Sequence, residues 1–128
     1  MPRLFKATDI EQEEKEIRKD YFDRHTPVII CADEVVRGEK FSVNVRIGSQ
    51  YTHPDDFNHF INYIQLWNRE TLLAEARFLP GTFGNEPNHP EVDFYVVAPG
   101  VSMNLTAISL CTQHGLWISE PKVVKVVS

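Results

Sequence analysis

The chain has 128 residues, with 13 Lys and Arg against 18 Asp and Glu, a formal net charge of −5 with histidine neutral. That length suits one domain with its own hydrophobic core, and the acidic balance argues against sequence-independent nucleic-acid binding, which needs a surplus of phosphate-neutralising side chains. No run of about 18 apolar residues suggests a membrane-spanning helix, and two cysteines, Cys31 and Cys111, are too few for a disulfide scaffold.

The elements follow in chain order. Residues 9–24 (DIEQEEKEIRKDYFDR) are dominated by charge. Thr8 followed by Glu11 has the form of a helix capping box, and Ile10, Ile17 and Tyr21 fall near helical spacing. A short amphipathic helix and an irregular solvated arm both fit. Residues 1–24 are read as a charged arm of the same domain as 25–128. The leading stretch has no apolar core of the kind a secretion signal carries, so the expected compartment is the cytoplasm, where thiols stay reduced.

From Thr26 onward the pattern is that of strands. Pro27–Ile30 is a short apolar run. Phe41–Ile47 alternates strictly between apolar and polar residues, the period of a half-buried strand. Phe60–Trp67 is aromatic and β-branched, and 71–78 alternates again. The segment 80–90 is crowded with Pro, Gly and Asn and reads as a loop. Val92–Val97, Met103–Cys111 and Val123–Val127 complete about seven strands, with no helix-length segment between them. The expected fold is all-β, an antiparallel β-sandwich with a short N-terminal arm or helix.

Chemistry-bearing residues collect at strand ends and loops. His53 and His59 flank a Pro/Asp turn, Cys111 and His114 are three apart, and His25 leads into the first strand. Alone, each histidine reads as a surface or hydrogen-bonded residue, and Cys111 as a small buried apolar group. His89, in the Pro/Asn loop, is expected to face solvent. Together the other four histidines and Cys111 offer four imidazoles and one thiolate. Structural zinc takes four ligands, calcium and magnesium prefer oxygen, and imidazole suits iron, copper and zinc. Four nitrogens in a plane with an axial sulfur would leave one position of an iron open. A site of two histidines and one carboxylate, using Asp55 or Asp56 beside His53, is a further reading, but it leaves Cys111 and His114 unexplained.

Three segments carry a family resemblance: Asp23-Arg24-His25-Thr26-Pro27-Val28-Ile29; His53-Pro54 with His59, Ile61, Tyr63 and Ile64 after it; and Cys111-Thr112-Gln113-His114-Gly115-Leu116-Trp117. They resemble the superoxide reductases, specifically the single-iron neelaredoxin type, over about residues 20–120. The resemblance implies an immunoglobulin-like sandwich. It also implies one iron ion per chain, held by His25, His53, His59 and His114 with Cys111 axial, that reduces superoxide to hydrogen peroxide. The two-iron relatives carry a further iron on four cysteines that have no counterpart here. Rubredoxin is the electron donor the family implies, and a homotetramer the common assembly. In the family a Glu-Lys pair precedes the first histidine ligand. Its glutamate occupies the sixth iron position in the oxidised state and its lysine approaches the open face. Here the pair is Asp23-Arg24: the aspartate is one methylene shorter and reaches the iron only if its loop shifts, and the guanidinium cannot act as an ordinary proton donor. Arg24, with Lys15 or Lys19, is then expected to attract the superoxide anion. A non-catalytic metal-binding or sulfur-carrier sandwich is the competing reading.

Overall fold

The computed structural model describes residues 19–128. The capping box at Thr8 and Glu11, the apolar positions Ile10 and Ile17, and Lys15 lie outside the described residues. The end of the charged arm is helical. The helix α1 (Lys19–His25) has Asp20 in its first turn and Arg24 and His25 in its last, the arrangement that complements a helix dipole. Thr26 ends it. Its N–H and Oγ both donate to the Phe22 carbonyl, at 3.0 and 2.6 Å, and the following Pro27 cannot continue a helix.

Nine strands follow: β1 (Pro27–Ile30), β2 (Glu34–Val36), β3 (Lys40–Ile47), β4 (Ile61–Asn68), β5 (Thr71–Arg77), β6 (Glu91–Val97), β7 (Met103–Cys111), β8 (Gly115–Ile118) and β9 (Lys122–Val127). One sheet runs β1-β3-β6. The other runs β2-β9-β7-β4-β5, with β8 sharing the β7 edge with β9. All pairings are antiparallel except β2 with β9. Two of these strands are absent from the sequence reading. The three residues of β2 are too few to show a period, and β8 lies inside the Cys111–Trp117 motif.

The core lies between the sheets. Val43, Val45 and Ile47 of β3 face Leu66 of β4 and Met103, Leu105 and Ala107 of β7 in one cluster. On β4, Ile61 and Ile64 are both buried although three residues apart. A bulge explains this: Ile61 pairs with Cys111 and Tyr63 with Leu110, so one extra β4 residue re-aims the strand. On β7 the odd-numbered residues from Met103 to Cys111 share a face, by the period of two. That buried row ends at Cys111, which therefore reaches the end of the core. Cys31, half-buried, packs against the cluster and forms no disulfide. Among the described residues no helix is long and apolar enough to cross a membrane.

Candidate metal centre

Five side chains converge where strand ends of the two sheets meet. His25 closes α1 just before β1, whose Pro27 is paired with Ile47 at the end of β3. Ile61 at the start of β4 is paired with Cys111 at the end of β7, and Cys111 with Gly115 of β8. His53 sits between β3 and β4 in an isolated bridge to Asn88. His59 pairs back on Asp56, and His114 sits in the β7–β8 turn. The Thr112 N–H donates to the Phe60 carbonyl and the Gln113 side chain to the Asn58 carbonyl, which ties the His114 turn to the His59 turn.

The four imidazoles form a closed ring. Successive centroids His25–His53, His53–His59, His59–His114 and His114–His25 are 5.0, 4.9, 5.0 and 4.9 Å apart, with interplanar angles of 68–80°. His25 Nε2 lies 3.2 Å from His114 Nδ1. The Cys111 Sγ is 3.3 Å from His53 Nε2 and 3.6 Å from His114 Nδ1. The ligand atoms of His25, His59, Cys111 and His114 all lie within 4.8 Å of one another. Bonds of about 2.0–2.3 Å around a single ion put opposed donors up to about 4.6 Å apart, so the spacing fits one ion. His59 Nε2 is buried with no hydrogen-bond partner among the described residues, a polar atom that a bound ion would satisfy.

Backbone groups set which nitrogen faces inward. His25 Nδ1 donates to the Tyr21 carbonyl and His53 Nδ1 to the Pro54 carbonyl, each at 2.7 Å, so Nε2 of each ring is left as the donor atom. Trp117 stacks on His25 at 4.7 Å and 16°, and its Nε1 donates to the His114 carbonyl at 3.1 Å. Tyr21 packs edge-on against Trp117 and His114, and Phe22 against Trp117. In the sequence Tyr21 reads only as an apolar helix position and Trp117 only as part of a motif, and neither they nor Phe22 show a part in the site. The stacking of Trp117 depends on α1 meeting β8, a contact between distant segments.

Burial, followed by repulsion among the imidazoles, outweighs the carbonyl bonds and lowers the His25 and His53 pKa values to about 4. His59 is lowered in the same direction, first by burial and then by His114. Burial pushes the Cys111 thiol up, while the backbone N–H groups of Gln113 and His114 act in the opposite sense and would favour a thiolate. A stability consequence follows for the metal-free protein. Below about pH 6.5 the unfolded chain takes up protons at His25 and His53, whereas the folded chain resists until about pH 4. Metal-free protein should therefore melt at lower temperature at about pH 5 than at about pH 7.5. Thermal melts in chelator check this, and a midpoint that rises on acidification would contradict it.

The other candidates are placed differently. The Asp55 carboxylate is buried and accepts from the Gly81, Phe83 and Asn85 N–H groups at 3.2, 2.9 and 3.0 Å, so it organises the 80–87 loop. Asp56 is exposed, and the metal-capable group among the described residues contains no carboxylate. His89 corrects the expectation of a solvent-facing side chain. It is half-buried, with Nδ1 donating to the Ile47 carbonyl at 3.0 Å. The Arg24 side chain bonds the Asp20 backbone and carboxylate, at 3.3 and 3.4 Å, yet its charge still depresses His25 and His59. Asp23 accepts from Ser49, Gln50 and Tyr51. Partial burial opposes its charge, but those hydrogen bonds prevail and hold its pKa at about 2.

A β-sandwich holding four imidazoles around one thiol belongs to the class of mononuclear non-haem metal proteins with mixed nitrogen and sulfur ligation. Residues 11–120 match the family model described as Desulfoferrodoxin. The chain is 31% identical over 110 residues to the superoxide reductase of Pyrococcus furiosus, covering 77% of this chain and 86% of that one. The solved superoxide reductase (neelaredoxin) of Ignicoccus hospitalis superposes with a TM-score of 0.66 at 32% identity, over 80% of this chain and 81% of that one. A fibronectin(III)-like module of Clostridium thermocellum CbhA, at 13% identity and a TM-score of 0.53 over 79% of this chain and 94% of that one, shares the fold alone, consistent with an immunoglobulin-like sandwich. The chain belongs to the desulfoferrodoxin family, on its neelaredoxin-type superoxide reductase side.

Proposed function

We infer that the chain is a superoxide reductase working at one mononuclear iron, with His25, His53, His59 and His114 as its nitrogen ligands and Cys111 as its sulfur ligand. The observation that carries this reading is the closed ring of four imidazoles with a thiol against it, His59 Nε2 being buried with no hydrogen-bond partner among the described residues. The iron-binding domain is residues 25–128, and 1–24 form its charged arm. Iron bound there supplies the one-electron couple that takes superoxide and two protons to hydrogen peroxide.

The chain's own residues supply the rest. The Tyr21 and Pro54 carbonyls keep the His25 and His53 rings in the tautomer that offers Nε2. Trp117, with Tyr21 and Phe22 against it, covers the flank of His25 from water. The Cys111 thiolate donates electron density from the buried side. Arg24 draws the anion in. Superoxide and the protein as a whole are both negative, so capture needs a local positive field. A guanidinium stays charged at all accessible pH, so Arg24 serves capture and not protonation. By the family resemblance, the electron donor is rubredoxin and the assembly a homotetramer, and the compartment is the cytoplasm, where the Cys111 thiol stays reduced.

Purified protein should hold one iron per chain and gain a visible thiolate-to-iron absorption on oxidation. Protein that takes up zinc alone, or no metal, contradicts the reading and favours a non-catalytic metal-binding sandwich. Arg24→Ala should lower the second-order rate with superoxide roughly threefold to tenfold at low ionic strength, with the deficit shrinking as salt screens the charge. An unchanged low-salt rate removes Arg24 from the capture step.

A further inference from the structure

The carboxylate of Asp23, two residues before His25, is fully engaged. Oδ1 accepts from the Ser49 N–H and Oγ at 3.1 and 2.6 Å, and Oδ2 from the Gln50 and Tyr51 N–H groups at 2.9 and 2.8 Å. Three consecutive backbone N–H groups and one hydroxyl thus converge on a single side chain of α1. Their segment, 49–51, leads directly into His53.

The joint is tight on its other sides too. The Gly48 N–H donates to the Thr26 carbonyl at 3.0 Å, and His89 holds the Ile47 carbonyl. Gly48 has φ +79°, and a Cβ there would stand 2.5 Å from the Tyr51 carbonyl oxygen and 3.1 Å from that of Asp23. Only glycine suits both the conformation and the space. Beyond the joint, His53 is pinned by its bridge to Asn88. The result is a fixed span from His25 to His53, whose ring centroids are 5.0 Å apart.

We propose that Asp23 is a positioning residue: by clamping the 49–51 backbone to α1 it sets the separation of His25 and His53, the first two imidazoles of the metal site. This rests on reading both histidines as ligands to one ion. The short aspartate side chain is part of the device. The resemblance assigns this position to a glutamate that reaches the iron in the oxidised state, whereas here the carboxylate is spent on the loop. Groups that orient metal ligands without touching the ion typically change affinity by about 10–100-fold when removed.

The test uses the full chain, with cobalt(II) as the probe metal, and the variants Asp23→Ala, Asp23→Asn and Ser49→Ala. In metal-free protein, amide exchange at Ser49, Gln50 and Tyr51 should quicken in Asp23→Ala by about tenfold or more as the hydrogen bonds are lost. Cobalt affinity should fall by about tenfold or more, and the visible cobalt spectrum should shift because the imidazole spacing relaxes. Asp23→Asn, which keeps one carbonyl acceptor, and Ser49→Ala, which removes one of the four donors and is the milder change should Asp23→Ala fail to fold, should move in the same direction by less. Unchanged exchange overturns the clamp. Faster exchange with unaltered cobalt affinity and spectrum overturns the positioning role. If the wild type binds no cobalt, the ligand reading itself falls; if it binds and the variants match it, only this proposal does.

Discussion

Cys111→Ala should abolish the visible absorption of the oxidised protein and lower superoxide reduction by more than about a hundredfold, beyond the range expected for groups that merely orient a ligand. The residue ends the inward-facing row of β7, and its Sγ lies 3.3 Å from His53 Nε2 and 3.6 Å from His114 Nδ1. It is 1% exposed, so the variant loses a small buried side chain and stays close to native volume. The four-histidine ring does not depend on the sulfur for its backbone supports, since His25 and His53 are fixed by the Tyr21 and Pro54 carbonyls. The variant should therefore keep its fold and bind iron more weakly. Circular dichroism, iron content and the visible spectrum of one preparation separate these effects. A variant that retains the band would place the thiolate elsewhere and undo the assignment.

Leu66→Ala should cost about 2–5 kcal/mol of folding stability, the usual range for a fully buried leucine that leaves a cavity. Leu66 is 0% exposed in the middle of β4. Its partners across the sheet are Ala107 on β7 and Ala74 on β5, so the leucine side chain fills the space that two small neighbours leave. Truncation would set three alanines side by side across the sheet, and the branched side chains of the facing sheet, Val43, Val45 and Ile47, could fill the gap only by shifting β3. Against a typical total of about 5–15 kcal/mol that is a large fraction. In a domain of this size the melting temperature should fall by roughly 8–20 °C. Thermal unfolding of metal-free protein measures this directly, because bound metal would add its own stabilisation. A drop of a degree or two would mean that the sheets close over the gap.

The parts of the fold that announce themselves in the sequence are those where the periods are clean. The alternation in Phe41–Ile47 marks the buried Val43, Val45 and Ile47 of β3, and the Pro/Gly/Asn crowding of 80–90 marks a loop. Two kinds of feature stay hidden. The burial of Ile61 together with Ile64 breaks the period of two, because the bulge depends on register with β7, which is a tertiary fact. The parallel pairing of the three-residue β2 with β9 leaves no local trace. At the site, the five side chains that meet, His25, His53, His59, His114 and Cys111, are legible from type, spacing and family resemblance. Their second layer is not. Asp55 and Asp23 look like ligand candidates in the sequence and are found accepting backbone N–H groups of distant loops. His89 looks like a loop side chain and bonds the end of β3. Each of these depends on which loops meet in space.

The central claim is a one-electron reduction without disproportionation. Its most direct test is to pulse reduced, iron-loaded protein with superoxide and measure hydrogen peroxide and dioxygen together. One peroxide should form for each superoxide consumed, the protein should be oxidised in step with it, and no dioxygen should be released. Half a peroxide per superoxide with matching dioxygen would make the protein a dismutase, and no acceleration over the spontaneous reaction would make its metal site non-catalytic.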